Sequence, residues 1–243
     1  RVAARSLQAF MRDLGVASPP AYYALLQAEG VHMGRAIDRL ATLEGHKALG
    51  AALDRFSLRA GEIVRGHAGS LIFSGGDGVL ALVPLHTAIQ CARALHDAFG
   101  ELVGVAGVEN GPTLSVGLAI AHHLEDMAEA RDLARKAERL AKGYAGPEGE
   151  KNALAVVVSK RSGGTLEVVG SWNEALPLDR RVLEWARLFH EERLPDKAAF
   201  DVESETAGLL GRGQAAGDPG LFAPQDALAT ATDAAPPSEQ PDR

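Results

Sequence analysis

In the segment Ser70–Pro84 (SLIFSGGDGVLALVP), two short apolar runs flank Gly75-Gly76-Asp77-Gly78, and no other stretch of the chain restricts the fold as much. Glycine enters the positive-φ region at no steric cost, so apolar runs joined through such a turn read as a β-hairpin. A fold built on this chain must therefore supply a sheet for the hairpin to join. The rest of the sequence can be read around it.

Upstream, Ala21–Ala28 (AYYALLQA) reads as a strand closed by Glu29-Gly30, and helical patterning from about Met33 to Arg65 predicts two helices broken near Glu44-Gly45. Downstream, Thr87–Phe99 places Ala88, Ile89, Ala92, Leu95 and Phe99 on one helical face, and a glycine-rich connection leads to Pro112. Thr113–Ala121 then reads as a strand and Asp126–Lys142 as a helix, with an apolar stripe of Met127, Ala130, Ala134, Ala137 and Ala141. Its polar stripe of Arg131, Arg135, Glu138 and Lys142 reads as a solvated surface. Asn152–Ser159 and Thr165–Val169 predict two more strands around Ser162-Gly163-Gly164, and Asp179–Glu192 predicts a helix carrying Val182, Trp185, Leu188 and Phe189. A weaker helix is expected from about Lys197 to Leu210.

The β-α-β-β-α-β order of the middle portion implies an α+β fold, a ferredoxin-like sandwich with helices packed on one face of an antiparallel sheet, the sheet that also forms the palm of many polymerases and nucleotide cyclases. Four segments follow: a lead-in helix and linker over 1–20, the palm over 21–170, a helical segment over 171–212, and a tail over 213–243. The lead-in helix sets Ala3, Leu7, Phe10, Met11 and Leu14 at helical spacing before Gly15, and Ser18-Pro19-Pro20 breaks it. The tail is expected to be disordered, because its Ala/Gly/Pro/Asp/Gln composition offers too little apolar surface to offset chain entropy.

The formal net charge of -7 gives no global basic field for holding duplex nucleic acid. Any nucleic-acid role is local or shared with partners. A single cysteine, Cys91, excludes an internal disulfide or a zinc ribbon and points to the cytoplasm. No apolar run approaches the length of a membrane span, so no membrane partner is expected. Because the chain opens on Arg1 without a leader, it reads as a segment of a longer polypeptide.

For chemistry, the first strand ends on Glu29 and the hairpin tip carries Asp77. If that strand lies beside the hairpin, the two carboxylates meet as ligands for a divalent ion, which takes oxygen donors. Gly75 and Gly76 let a phosphate chain approach the backbone without a Cβ in the way. The same four residues also satisfy ordinary turn chemistry. No residue is assigned as catalytic. His122 and His123 end a strand, where neighbours point to opposite faces, so they read as structural. Ser74 and Ser115 lack a visible partner for nucleophilic catalysis, and Lys160-Arg161 reads as a solvated turn. Cys91 and Trp172 read as packing residues, and Trp185 as a contact between domains or subunits.

Taken together, YYALLQAEGVHMG (Tyr22–Gly34), the stretch Leu53–Pro84, TLSVGLAIAHH (Thr113–His123), ARKAERLAKG (Ala134–Gly143) and NALAVVVSKRSGG (Asn152–Gly164) resemble one family. It is the large, polymerase-like subunit of the Cmr-type (type III-B) CRISPR effector complex. The resemblance covers about Ala21 to Gly164 and implies the second palm domain, related to GGDEF-type nucleotide cyclases. It further implies that the palm binds ATP and, when target RNA pairs with the guide RNA, joins ATP into cyclic oligoadenylate. The implied partners are the other effector subunits and, through them, guide and target RNA. Lys142 ends its helix as lysines in related palms do when they contact nucleotide phosphates.

The departures from the family pattern carry as much information. Where the family has Asp-Gly-Asp, this chain has Glu29-Gly30-Val31, and where it has Gly-Gly-Asp-Asp, this chain has Gly75-Gly76-Asp77-Gly78. Glu29 and Asp77 remain as metal ligands for Mg or Mn held with ATP. The expectation is an impaired or inactive centre in a structural or nucleotide-binding module. The alternative is an active Mg-dependent nucleotidyltransferase that uses Glu29, Asp77 and a further carboxylate. A free-standing GGDEF-like signalling domain is a third, more remote reading.

Overall fold

Alternation of buried and half-buried residues organises the chain into a six-stranded sheet with helices on both sides rather than on one face as expected, because both pleats of its central strands are apolar. The structure, a computed structural model, describes residues 20–104, 112–146, 149–160, 164–195 and 197–198. The expected lead-in helix and tail, and most of the weaker helix from Lys197, lie outside these residues.

Strand β1 (Tyr22–Val31) is followed by helix α1 (Met33–Arg39) and the long helix α2 (Leu43–Gly66). β1 does not stop at Glu29-Gly30 as the sequence predicts. Glu29, Gly30 and Val31 stay in register with Ser115, Leu114 and Thr113, and the Gly30 N–H donates to the Asp77 carbonyl at 3.2 Å. The ladder overrides the glycine. The helix break falls at Leu40–Thr42 rather than at Glu44-Gly45, because the Thr42 hydroxyl accepts from the Gly45 N–H at 3.1 Å and caps α2.

The predicted hairpin forms from β2 (Ser70–Gly75) and β3 (Gly78–Pro84), with Gly76 at φ 59° in its turn. A 3-10 turn (Leu85–Thr87) leads into helix α3 (Ala88–Gly104). Strand β4 (Thr113–His122) and helix α4 (Met127–Gly143) follow, and the Asp126 carboxylate caps α4 by accepting from the Ala128 N–H at 2.7 Å. A short ribbon of β5 (Ala145–Gly146) and β6 (Gly149–Glu150) precedes β7 (Ala153–Ser159), β8 (Thr165–Ser171) and helix α5 (Leu178–His190).

The strand order is β2-β3-β1-β4-β7-β8. Its first four strands form the expected antiparallel palm sheet. The expectation of an antiparallel sheet needs one correction, because β7 joins β4 in parallel. A helix between two strands carries the chain back to its starting end, and α4 does so here. β8 then returns antiparallel along β7.

Even-numbered residues of β1 and β4, among them Leu26, Leu114 and Leu118, pack under α2 and α3 with Phe56, Leu95 and Phe99. The rings of Phe56 and Phe99 meet edge to face at 4.9 Å. Odd-numbered residues, including Leu25, Ala119 and Ala121, face α4 through Ala130 and Ala134. Met127, expected in the apolar stripe of α4, is exposed at the first position of the helix.

The segment after β8 is anchored by a polar cluster. Arg93 of α3 donates to both Asp179 carboxylate oxygens, at 2.8 and 2.7 Å, and lies 4.5 Å over the Trp172 ring. Trp172 is buried, as expected of a packing residue, and its indole donates to the Leu114 carbonyl at 3.2 Å. Cys91 is buried in the apolar core, and burial pushes its thiol up to about 11.

The chain divides into two units after Ala186. In the second, Arg187 pairs with Glu191 at 2.8 Å and the Arg193 N–H donates to the Leu188 carbonyl at 2.9 Å. Among the described residues no helix is long and apolar enough to cross a membrane.

Candidate functional site

The far end of β1 meets the hairpin turn, and the details of that meeting follow from one glycine. A Cβ on Gly30 would lie 2.7 Å from the Asp77 Oδ2 atom and 2.8 Å from the Asp77 Cβ. Only a residue without a side chain lets the hairpin tip fold over β1 in this way. Adjacent residues of a strand project to opposite faces. Glu29 therefore reaches the face covered by α4, while the Asp77 carboxylate occupies the Gly30 slot on the other pleat. The two acids leave the strand end from different pleats, and both line the cleft described below.

Burial raises the Asp77 carboxyl above its ordinary value, and the nearby Glu29 charge adds to this, while its own backbone N–H and Lys142 act the other way. Of the two turn glycines, Gly76 is accounted for by its φ of 59°, and a Cβ on Gly75 would meet the Phe73 ring at 3.0 Å. Gly75 lines the cleft described below.

On the other face, Lys142 bridges two carboxylates. Its ammonium lies 2.9 Å from Glu29 Oε2 and 2.9 Å from Glu138 Oε1. Glu138 sits one turn before Lys142 on α4, its side chain only 7% exposed. Gly117 makes this possible: a Cβ there would lie 2.2 Å from the Glu138 backbone nitrogen, so β4 and α4 touch through their main chains. Burial works against the Lys142 ammonium, but its close ion pairs with Glu29 and Glu138 outweigh that cost and lift its titration above the ordinary lysine value.

A cleft of about 400 Å³ opens beside this bridge, lined by Gln27, Glu29, Phe73 and Asp77 from the sheet and by Arg131 and Arg135 from α4. The polar stripe of α4, expected to be a solvated surface, thus forms one cleft wall and the Lys142 bridge. Arg135 lies 3.7 Å from the exposed Asp132, and Arg131 enters no ion pair among the described residues. From the sequence Glu138, Arg131 and Arg135 read only as part of a solvated stripe, not as site residues. Their spacing at successive turns of one helix, ending on Lys142, was the available signal.

The donor set can be tested against a divalent ion, which in an octahedral site needs several free oxygens. Val31 and Gly78 offer no side-chain oxygen, and Lys142 pairs with one oxygen each of Glu29 and Glu138. Among the described residues no group of three His, Cys, Asp or Glu side chains is placed to hold a metal. The arrangement does not fit a two-ion centre.

Elsewhere, His122 and His123 stack at 4.6 Å rather than pointing apart, because His123 lies past the end of β4 where the alternation of the strand no longer applies. Ser74 and Ser57 bond to each other at 3.0 Å, and Ser115 donates to the Lys151 carbonyl at 3.3 Å. Of the basic pair at the end of β7, Lys160 is exposed and Arg161 lies outside the described residues.

The sequence profile of the family described as Cas10/Cmr2, second palm domain, matches residues 22–155. The chain is 29% identical over 192 residues to the CRISPR system Cmr subunit Cmr2 of Pyrococcus furiosus, an alignment that covers 68% of this chain. It spans only 21% of that relative's length. A chain of the type III-B Cmr-beta complex, determined by cryo-EM in the apo state, superimposes with a TM-score of 0.57 at 14% identity. That match covers 84% of this chain and 34% of the other, a likeness of fold.

Proposed function

The chain belongs to the Cas10/Cmr2 family as its second palm domain, and from that premise we propose that it serves a type III CRISPR effector complex as a nucleotide-binding palm without cyclase activity of its own. The ligand proposed is ATP, and the proposed partners are the other subunits of the complex, with guide and target RNA reached through them. The palm proper is taken as residues 21–170.

One observation carries this reading: Lys142 lies between Glu29 and Glu138 at 2.9 Å from each, so of the two acids lining the cleft Glu29 is already paired with a cation of the protein's own, and Asp77 is left. Joining nucleotides requires charge to be stabilised on the attacking and leaving oxygens, commonly by two metal ions. Each lost ~1.4 kcal/mol of that stabilisation slows the reaction tenfold. Val31 and Gly78, standing where the family has carboxylates, remove ligands that no described residue replaces.

The test is to supply the assembled complex, carrying guide and target RNA, with ATP and Mg²⁺. The expected result is no oligoadenylate above the level without target RNA, and product from the double variant Val31→Asp, Gly78→Asp. Oligoadenylate from the unaltered complex at the rate of a Gly-Gly-Asp-Asp palm overturns the proposal.

A second reading has a specific observation in its favour. Glu138 is a third acid beside Glu29, and with Lys142 swung toward a bound phosphate the pair would be released for a metal, giving an active nucleotidyltransferase. The same assay on Glu138→Gln separates the two, because only an active centre loses product with that change.

A further inference from the structure

We infer that Lys142 is the built-in cation of this palm, standing between Glu29 and Glu138 in place of a divalent ion, and that the cleft therefore takes the phosphates of its nucleotide on Arg131 and Arg135 without metal. The inference deepens the nucleotide-binding reading above and rests on it for the identity of the ligand. The chemistry of the cleft supplies the argument.

A triphosphate entering a carboxylate-lined cleft must have its charge compensated. Metal ions commonly do this by bridging carboxylate and phosphate oxygens. Here the bridge is already closed by an ammonium at 2.9 Å from each acid, one of them almost fully buried. Displacing it would leave Glu138 charged, buried and unpaired, a costly state.

The positive charge that remains toward the cleft is on α4. Arg131 and Arg135 lie four residues apart, so they stand on the same helix face about 5–6 Å apart at their Cβ atoms. That spacing suits neighbouring phosphate groups, and guanidinium forks match phosphate oxygens in pairs. Across the cleft, Phe73 is 56% exposed, a flat apolar ring open to a base. Aromatic faces accept any nucleobase by stacking. The cleft thus offers the two contacts a nucleotide needs, with Glu29 and Glu138 withdrawn from metal binding.

Two measurements on the whole 243-residue chain test the inference. In the first, fluorescent mant-ATP is titrated in EDTA and again in excess Mg²⁺. Affinities within about twofold of each other are expected, and Arg131→Ala with Arg135→Ala should weaken binding at least tenfold in both buffers, two charge-assisted contacts being lost. Binding seen only with Mg²⁺ overturns the inference while the nucleotide-binding reading stands. Absence of binding in both buffers overturns that reading and the ligand half of the inference with it.

The second measurement follows free Mn²⁺ by electron paramagnetic resonance and needs no nucleotide. The unaltered chain should leave the free-ion signal unchanged, and Lys142→Met, with Glu29 and Glu138 released, should reduce it. Stoichiometric Mn²⁺ uptake by the unaltered chain overturns the role given to Lys142. Should Lys142→Met not fold, Lys142→Gln replaces it, and failure of a folded variant to take up Mn²⁺ also overturns that role.

Discussion

Alternate residues of β1 and β4 go to opposite sides of the sheet, and the two sides are packed in different ways. Toward α2 and α3 lie Leu26, Leu114 and Leu118 against Phe56 and Phe99, large side chains that fill a thick layer. Toward α4 lie Gly117, Ala119 and Ala121 against Ala130, Ala134 and Ala137, small side chains that bring β4 and the helix close, with Leu25 filling the layer over β1. The first side is a conventional core that stabilises by burying area. The second is a close approach of main chains, and its consequence is positional: it sets Glu138 and Lys142 down beside Glu29.

The difference can be broken by substitution. The largest effect is expected from Phe56→Ala, which removes a fully buried ring from the thick side and should cost about 4 kcal/mol in urea unfolding. The cleft should be indifferent to it, with mant-ATP affinity unchanged in the folded protein. A loss of affinity in step with stability would show that the two sides are not separable.

Gly117→Ala comes next. One added methyl collides with the Ala137 and Glu138 backbone at 2.6 and 2.2 Å, so α4 must move away from β4. A cost of about 3 kcal/mol is expected, and here affinity for mant-ATP should fall as well, because Arg131 and Arg135 travel with the helix. Tolerance of the alanine without loss of either would refute the account of close approach.

The smallest effect concerns Asp77. Burial holds its carboxyl above the ordinary 3.8, so the native state keeps this proton to higher pH than the unfolded chain does. Its contribution to stability is full below the unfolded value and is lost as pH rises through the native one. Asp77→Asn should therefore melt a few degrees higher at most near pH 7.5, the gain vanishing at about pH 3. An equal gain at both would assign the effect to something other than titration.

Much of this molecule was legible along the chain. The hairpin announces itself by glycines between apolar runs, and α4 by its alanine stripe, because turn chemistry and helical periodicity are local. Glu29, Asp77 and Lys142 could be named from the ends of predicted elements. Three things could not. β1 extends through Glu29-Gly30 because a partner strand holds it, and β7 is parallel to β4 because of where α4 returns the chain. The His122–His123 stack exists because the strand stops between them. Each depends on a neighbour remote in sequence.

The same division applies to the site. Sequence by itself determined that Val31 and Gly78 offer no ligand in any conformation, since the donor is absent from the side chain. It also determined an α+β sandwich, through the order of apolar runs and turns, which the family resemblance makes a palm. Only the tertiary structure decided what stands in the gap. Glu29 and Glu138 are distant in the chain and are joined through Lys142 because a glycine on β4 lets the backbone of a helix rest on the strand. Close contact of this kind is a property of two surfaces together, and neither segment records it alone.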